Sequence, residues 1–127
     1  TEKGEPIVVC TVKGDIHDIG KNIVKVLLEN YGYQVIDLGK DVPPEEVVKA
    51  AQDHNAKLVG LSALMTTTVG AMEETIRQIR RTLPECRVMV GGAVMTEEYA
   101  RTIGADFYGA NAVASVSYAN QLFHKQQ

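Results

Sequence analysis

The chain alternates short apolar runs with segments whose apolar residues recur at helical spacing. Residues 7–12, IVVCTV, form a continuous apolar run of the kind expected for a strand buried on both faces of a sheet. From Ile19 to Tyr31 the apolar residues share one helical face, and Gly32 follows as a C-cap. Further strands are predicted at 33–38, 57–62, 87–90 and 105–108, and further helices at 41–55, 69–83, 96–103 and 111–124.

Five strand–helix units without a hairpin signal predict an α/β fold. The expected architecture is a flavodoxin-like (Rossmann-like), doubly wound sheet of five parallel strands in the order 2-1-3-4-5, with helices on both faces. Residues 1–5 have the composition of a linker remnant from a longer protein, and residues 6–127 are predicted to form a single domain. A chain of 127 residues is long enough to bury a core.

Composition narrows the range of functions. Hydrophobic residues make up 45% and charged residues 23%, which is ordinary for a globular protein. The net charge of -3, without a basic cluster of note, indicates neither a nucleic-acid partner nor an anionic membrane surface. No apolar stretch is long enough to span a bilayer, and there is no signal-peptide pattern. Cys10 and Cys86 are isolated in the sequence, so we expect reduced core thiols in a cytoplasmic protein.

The predicted topology locates a ligand site. In open doubly wound sheets, ligands bind beyond the carboxyl ends of the strands, at the point where the strand order reverses. Here that point lies between the first and third strands, so the loops at 13–18 and 62–68 are expected to form the site. Polar residues, glycines and alanines concentrate on these loops and on the loops after the fourth and fifth strands: Gly14, Asp15, His17, Asp18, Ser62, Thr66, Thr67, Thr68, Gly91, Gly92, Ala93, Gly109, Ala110 and Asn111.

The residues argue against three ligand sites that this topology often carries. A phosphorylation receiver would need an aspartate after the third strand and a lysine after the fifth, where this chain has Ser62 and the pair 108–109. No Ser/Thr-rich phosphate loop for a flavin follows the first strand. Gly14 and Gly20 are too far apart for the dinucleotide fingerprint.

His17 lies two residues from Asp15, and this pair is the feature left to explain. A carboxylate that accepts the proton of one ring nitrogen fixes the tautomer and makes the other nitrogen a better metal ligand. A plain surface histidine is the alternative. Because no Cys, His or carboxylate is nearby to complete a site, any metal should bring its own equatorial ligands, as a macrocycle does.

The pattern Asp15-x-His17-x-x-Gly20, followed by Ser62-x-Leu64 and then by glycines 91–92, resembles the signature of cobalamin-binding domains. The resemblance extends over residues 6–123. The segments GDIHDIGKNIV and LVGLSALMTTT are most similar to the corrinoid proteins of methyltransferase systems and to the cobalamin domain of methionine synthase. Subunits of adenosylcobalamin-dependent mutases share the core motif and are an alternative. A non-enzymatic cobalamin-sensing module is another.

The resemblance implies roles for individual residues. Cobalamin, or a related corrinoid, would bind base-off with His17 as the lower axial ligand of cobalt, while Asp15 would accept from the other ring nitrogen and Ser62 would bond to Asp15. Gly20, with glycines 91–92, would leave room for the nucleotide tail, so a bulky residue in place of Gly92 should impair uptake of the ligand more than folding. Further contacts with the tail or corrin are expected from Ile16, Asp18, Ile19, Leu64, Met65, Thr66, Thr67, Ala93, Tyr108, Gly109, Ala110 and Asn111.

The resemblance also implies a function and partners. The domain would be a methyl carrier whose cobalt cycles between Co(I) and methyl-Co(III), with partner methyltransferases loading and unloading the methyl group. It would not be catalytic without them. Family proteins usually carry an N-terminal helical cap over the upper corrin face, and only five residues precede the first predicted strand here. We therefore expect that this cap was removed, or that a partner or second copy replaces it, with some self-association.

Overall fold

The computed structural model describes residues 4–124, and within them strands and helices alternate regularly. The strands are β1 Pro6–Thr11, β2 Gln34–Asp37, β3 Leu58–Ser62, β4 Arg87–Gly91 and β5 Phe107–Tyr108. The helices are α1 Ile19–Asn30, α2 Pro44–Asp53, α3 Val69–Thr82, α4 Glu97–Thr102 and α5 Ala112–Leu122. A 3-10 turn at Thr66–Thr68 leads into α3. None of the helices in this part of the chain is long and apolar enough to cross a membrane.

The five strands form one parallel sheet in the order β2-β1-β3-β4-β5, so the predicted doubly wound fold is confirmed. β1 lies at the centre of the strand reversal, pairing with β2 on one side and β3 on the other. In this register Thr11 is opposite Ser62, and Ser62 is opposite Gly91. The loops that follow β1, β3 and β4 therefore leave the sheet side by side.

Helices cover both faces of the sheet, and each face has its own core. Ile7 and Val9 of β1 point toward α1 and α5, where they pack with Leu28 and Val116. The alternate β1 residues, including Cys10, face α2, α3 and α4. Burial on both faces explains why β1 is a continuous apolar run rather than an alternating one. Cys10 and Cys86 are buried free thiols, and burial raises the pKa of Cys10 to about 12 and that of Cys86 to about 11.

Helix α1 departs from the pattern predicted by its sequence. Ile23, assigned to the buried face, is 50% exposed, whereas the Lys21 side chain is only 4% exposed. The Lys21 ammonium lies 2.7 Å from an Asp37 carboxylate oxygen, so the ion pair joins α1 to the end of β2. Asp18 occupies the N-cap position of α1, but its side chain makes no capping hydrogen bond. It lies 3.8 Å from the Lys21 ammonium instead.

The predicted linker falls partly within the structure. Residues 1–3 lie outside the described residues, whereas Glu5 accepts a hydrogen bond from the Gln34 amide at 3.0 Å. A Cβ on Gly4 would lie 1.7 Å from the Gly32 carbonyl oxygen, so Gly4 packs closely against the turn before β2. Residues 4–5 therefore contact the turn before β2 and the first residue of that strand.

Candidate functional site

The loop between β1 and α1 presents His17 at the carboxyl edge of the sheet. Its ring Nδ1 lies 2.8 Å from Asp15 Oδ1, and its backbone N–H donates to the same oxygen at 3.0 Å. The Asp15 side chain is fully buried, while that of His17 is 47% exposed. Because an ionised carboxylate can only accept, Nδ1 carries the proton in this pair and Nε2 keeps its free lone pair. The geometry thus leaves one nitrogen of His17 available to a ligand, while the buried Asp15 anion holds the ring in place.

The second Asp15 oxygen is held by the loop after β3. Oδ2 accepts from the backbone N–H groups of Leu64 at 2.7 Å and Met65 at 3.1 Å, and from the Thr68 hydroxyl at 2.8 Å. Ser62 was expected to supply this hydroxyl, and that expectation is wrong. Among the described residues no hydrogen bond joins Ser62 to Asp15, since Ser62 ends β3 and the chain reaches Asp15 only with the residues that follow.

These contacts determine the charge state of Asp15. Burial alone raises the pKa of this carboxyl. The hydrogen bonds from the His17 backbone and ring, the Leu64 amide and the Thr68 hydroxyl outweigh burial and hold the pKa well below its usual range. Asp15 is therefore an anion at neutral pH although no water reaches its side chain.

A cavity of about 450 Å³ opens between the sheet and the helices α1 and α5. Its walls combine strand backbone with small residues from the loops after β3, β4 and β5. From the predicted set, the lining includes Gly20, Ser62, Gly91, Gly92, Ala93, Tyr108, Gly109, Ala110 and Asn111. Besides Lys21 and Ala112, eight lining residues were not identified from the sequence: Val9, Cys10, Val24, Gly60, Leu61, Met89, Val90 and Ser115.

Most of these missed residues gave no signal, because they belong to ordinary strands and helices. Gly60 was the exception, since a glycine inside a strand often marks a close approach to the backbone. A Cβ on Gly60 would lie 3.2 Å from the Met89 side chain, in tight contact. Asn111 also has a second role, because its side chain accepts from the Ala114 amide and caps α5.

The glycines of this site serve different purposes. A Cβ on Gly20 would meet no atom within 4 Å, so this position opens into free space. A Cβ on Gly92, where φ is +129°, would lie 1.8 Å from the Ala63 carbonyl oxygen. The sequence predicted that a large residue at Gly92 would impair ligand uptake more than folding, and this contact with backbone indicates that folding would be impaired as well. Such a side chain collides with backbone before it reaches the cavity.

The B12 binding domain family model matches residues 5–117, which include every residue of the site described in this subsection. The chain belongs to this family. The cofactor predicted from the sequence, a cobalamin or related corrinoid, is confirmed by this match. The expected resemblance to cobalamin-binding domains is confirmed with it.

Individual proteins similar to this B12-binding domain include both curated relatives and solved structures. Dimethylamine corrinoid protein 1 of Methanosarcina mazei is 44% identical over 124 residues, which cover 96% of this chain and 57% of that protein. A chain of the methanol:cobalamin methyltransferase complex MtaBC from Methanosarcina barkeri superimposes with a TM-score of 0.93 at 32% identity, covering 99% of this chain and 49% of that one. A cobalamin-binding protein from Desulfitobacterium hafniense superimposes with a TM-score of 0.89 at 36% identity, covering 94% of this chain and 59% of that one. The domain thus spans somewhat more than half the length of the curated relative.

The donor set of this B12-binding domain fits a corrinoid. Within residues 4–124 no group of three or more His, Cys, Asp and Glu side chains could hold a metal ion. A metal bound here would have to bring most of its ligands, as cobalt in a corrin ring does. The other expected contacts do not line the cavity. They lie between β1 and the start of α1 or on the segment after β3: Ile16, Asp18, Ile19, Leu64, Met65, Thr66 and Thr67. Ile16 is 63% and Ile19 78% exposed, so apolar surface is available beside His17.

Proposed function

We propose that this domain binds its corrinoid base-off, with His17 Nε2 as the lower axial ligand of cobalt and the nucleotide tail in the cavity between the sheet and α1. We further propose that the domain is the methyl-carrier module of a methyltransferase system. The single observation that carries the first proposal is the hydrogen bond between His17 Nδ1 and the buried Asp15 carboxylate.

Asp15 suits His17 to this role in two ways. Its negative charge makes the imidazole a stronger donor through the opposite nitrogen. Its five hydrogen bonds, which come from two loops, fix where the ring can lie. Thr68 takes the place proposed for Ser62 in this relay, since its hydroxyl lies 2.8 Å from Oδ2.

The cavity suits the tail because backbone forms much of its wall. A chain of ribose, phosphate and aromatic base needs a narrow channel, and Gly20, Gly60 and Gly91 let the ligand approach the main chain. Lys21 is the one charged residue in the lining, and its ammonium is paired with Asp37. The channel is therefore nearly neutral and largely apolar.

The methyl-carrier role is supported by the names of similar proteins. MtaBC is by name a methanol:cobalamin methyltransferase complex, and dimethylamine corrinoid protein 1 is by name a corrinoid protein associated with a methylated amine. When bound, the corrinoid supplies a cobalt centre that accepts and releases a methyl group, and the protein contributes the lower ligand and the binding surface. Methyltransferases that load and unload this group are the proposed partners.

The ligand assignment can be tested by electron paramagnetic resonance of the bound Co(II) corrinoid. With natural-abundance protein, a single axial nitrogen splits each line into a triplet. Protein labelled with ¹⁵N-histidine should give a doublet instead, because the nitrogen then comes from the protein and not from the cofactor's own base. His17→Gly should retain the corrinoid and lose this splitting, while His54→Gly, changed at the C-cap of α2, should keep it.

A triplet that persists in ¹⁵N-histidine protein would exclude a histidine ligand. A doublet that survives in His17→Gly would assign the ligand to another histidine.

A further inference from the structure

The loop between β2 and α2 runs beside the loop that carries Asp15 and His17. Beyond the end of β2, the Thr11 amide donates to the Gly39 carbonyl at 2.9 Å and the Val42 amide donates to the Thr11 carbonyl at 3.2 Å. Val12 and Val42 form an isolated parallel bridge. Backbone pairing therefore continues past the sheet and brings residue 41 against residues 14–15.

Asp41 contacts this loop through both its backbone and its side chain. Its amide donates to the Asp15 carbonyl oxygen at 3.0 Å, and its Oδ1 accepts from the Gly14 amide at 2.7 Å. The two bonds form a closed ring with the peptide that joins Gly14 to Asp15. Asp41 has a φ of +57°, in the left-handed region that a side chain other than Asn or Asp seldom adopts.

Asp15 is thus held from two directions. Its carboxylate is bound by Leu64, Met65 and Thr68, whereas its main chain is bound by Asp41. Other bonds also hold the main chain of this loop: the His17 amide donates to Asp15 Oδ1 at 3.0 Å, the Asp15 amide donates to the Val12 carbonyl at 3.0 Å, and the Thr11 hydroxyl makes a long contact of 3.4 Å with the His17 carbonyl. Gly14, with a φ of +89°, gives the segment freedom that the Asp41 bonds remove.

We propose that Asp41 is a positioning residue for His17, because it clamps the peptide between Gly14 and Asp15 and thereby sets the position from which the histidine reaches the ligand. The consequence for the ligand rests on the proposed role of His17. The clamp itself is a property of the protein without cofactor. Asp41 is exposed and lies outside the core, so its replacement leaves the fold in place.

Three variants distinguish the effect of the Asp41 carboxylate from the effect of backbone strain at this position. Asp41→Ala removes the acceptor and keeps the strained φ. Asp41→Gly removes the acceptor and relieves the strain, whereas Asp41→Asn keeps an acceptor oxygen and tolerates the left-handed backbone. Lys40→Ala, at the exposed neighbouring position, is the control for mutating this loop.

The clamp is measured first by NMR on cofactor-free protein. In Asp41→Ala and Asp41→Gly, hydrogen exchange of the Gly14 amide should accelerate about fivefold, as expected for the loss of one hydrogen bond. The backbone order parameter of His17 should fall from a value near 0.85, typical of rigid backbone, toward the flexible range. Asp41→Asn and Lys40→Ala should match the wild type.

The consequence for the ligand is measured with the Co(II) corrinoid. Both carboxylate-free variants should bind it with a Kd within about threefold of the wild type, because the cavity is untouched. A smaller fraction of the bound cobalt should show coupling to a histidine nitrogen, and Asp41→Asn should restore that fraction.

Several results would overturn the proposal. An unchanged order parameter of His17 in both carboxylate-free variants would do so, as would loosening in Asp41→Ala but not in Asp41→Gly, which would assign the effect to strain. A loosened loop with an unchanged ligated fraction would reject the positioning role. If the wild type shows no histidine coupling, the proposed role of His17 fails instead, and the order parameter alone decides on the clamp.

Discussion

Asp15 joins elements that are distant in the sequence. One carboxylate oxygen binds its own loop through His17. The other binds residues that follow Asp15 by 49 to 53 positions in the chain. An isolated buried carboxylate is strongly unfavourable, so the donors from Leu64, Met65 and Thr68 are a condition for placing the charge here. The same donors fix the ring that faces the ligand. At this site, satisfying the hydrogen-bonding needs of a buried anion also orients the His17 ring, the proposed ligand of cobalt.

Gly20 offers a direct test of the cavity at the scale of one residue. A side chain here enters free space beside the cavity and meets no protein atom at Cβ, so Gly20→Leu should fold and block the corrinoid tail. We expect the Kd for cobalamin to rise at least about a hundredfold, since the occluded tail loses most of its contact. Isothermal titration calorimetry on the apoprotein measures this change.

Gly70 provides a matched control for this substitution. It too is the second residue of its helix, and a Cβ there would also meet nothing within 4 Å. Gly70 is not part of the cavity lining, so Gly70→Leu should bind cobalamin as the wild type does. Equal affinity in the two variants, with both folded, would show that the tail does not occupy the cavity beside Gly20.

At the scale of elements, α1 shows where a periodic pattern predicts well and where it does not. The bounds of the helix follow from its apolar spacing and from the glycine after it. The burial of Lys21 does not, because its partner Asp37 lies 16 residues away on β2 and nothing local marks the pair. Ile23 and Val26 remain about half exposed on the opposite side of the helix. Periodicity predicts that Val24, Leu27 and Leu28 pack against the core, whereas the burial of Lys21 among them depends on a charge partner from another element.

The ion pair between Lys21 and Asp37 should contribute measurably to stability. Lys21→Met fills similar volume but removes the ammonium, leaving Asp37 with the Gly39 amide and with Lys25 at 3.5 Å. Breaking a well-buried pair typically costs 3–5 kcal/mol, and because Asp37 retains a second cation we expect a loss of about 2 kcal/mol in the free energy of unfolding. Urea denaturation at neutral pH measures it.

Lys49→Met is the control for removing a lysine charge. Lys49 pairs with Asp53 on α2 at the same distance of 2.7 Å, but its side chain is 75% exposed, so the variant should stay close to wild type. Asp37→Asn in the Lys21→Met background should add little further loss. If Lys21→Met and Lys49→Met are equally stable, the ion pair between α1 and β2 contributes no more to the free energy of unfolding than an exposed ion pair does.

At the scale of the whole molecule, the sequence predicts the fold and the edge of the sheet that binds the ligand. Apolar runs such as that of β1 report burial on both faces, and the strand order then brings the loops after β1 and β3 together. Sequence reasoning assigned the hydroxyl partner of Asp15 to Ser62 instead of Thr68, because that choice depends on how a 3-10 turn folds back. It also missed Asp41, whose role comes from a left-handed turn that only the structure shows.

Stability should depend on pH through Asp15 and Asp37, two largely buried carboxylates whose pKa values the fold lowers. For Asp37, burial acts to raise the pKa, but the bonds from Lys21 and the Gly39 amide lower it overall. The pKa of Asp15 is held further below its usual range. A lowered folded pKa means that the unfolded chain takes up protons first. The stabilisation is therefore complete above the unfolded value of about 3.9 and is lost progressively as the pH falls from there toward the lower folded value.

We therefore expect the free energy of unfolding to fall steeply below about pH 4, with Asp15 contributing on the order of 2 kcal/mol of the loss. Asp15→Asn should be less stable than wild type at pH 7, and the difference should shrink on acidification because the unfolded wild-type chain then takes up a proton at Asp15 while the folded protein does not. Asp53→Asn, at a side chain that is 54% exposed, controls for losing one negative charge and should run parallel to wild type. Urea denaturation between pH 7 and pH 3 measures all three curves. A gap between Asp15→Asn and wild type that stays constant over this range would show that the hydrogen bonds to Asp15 do not favour its ionised form.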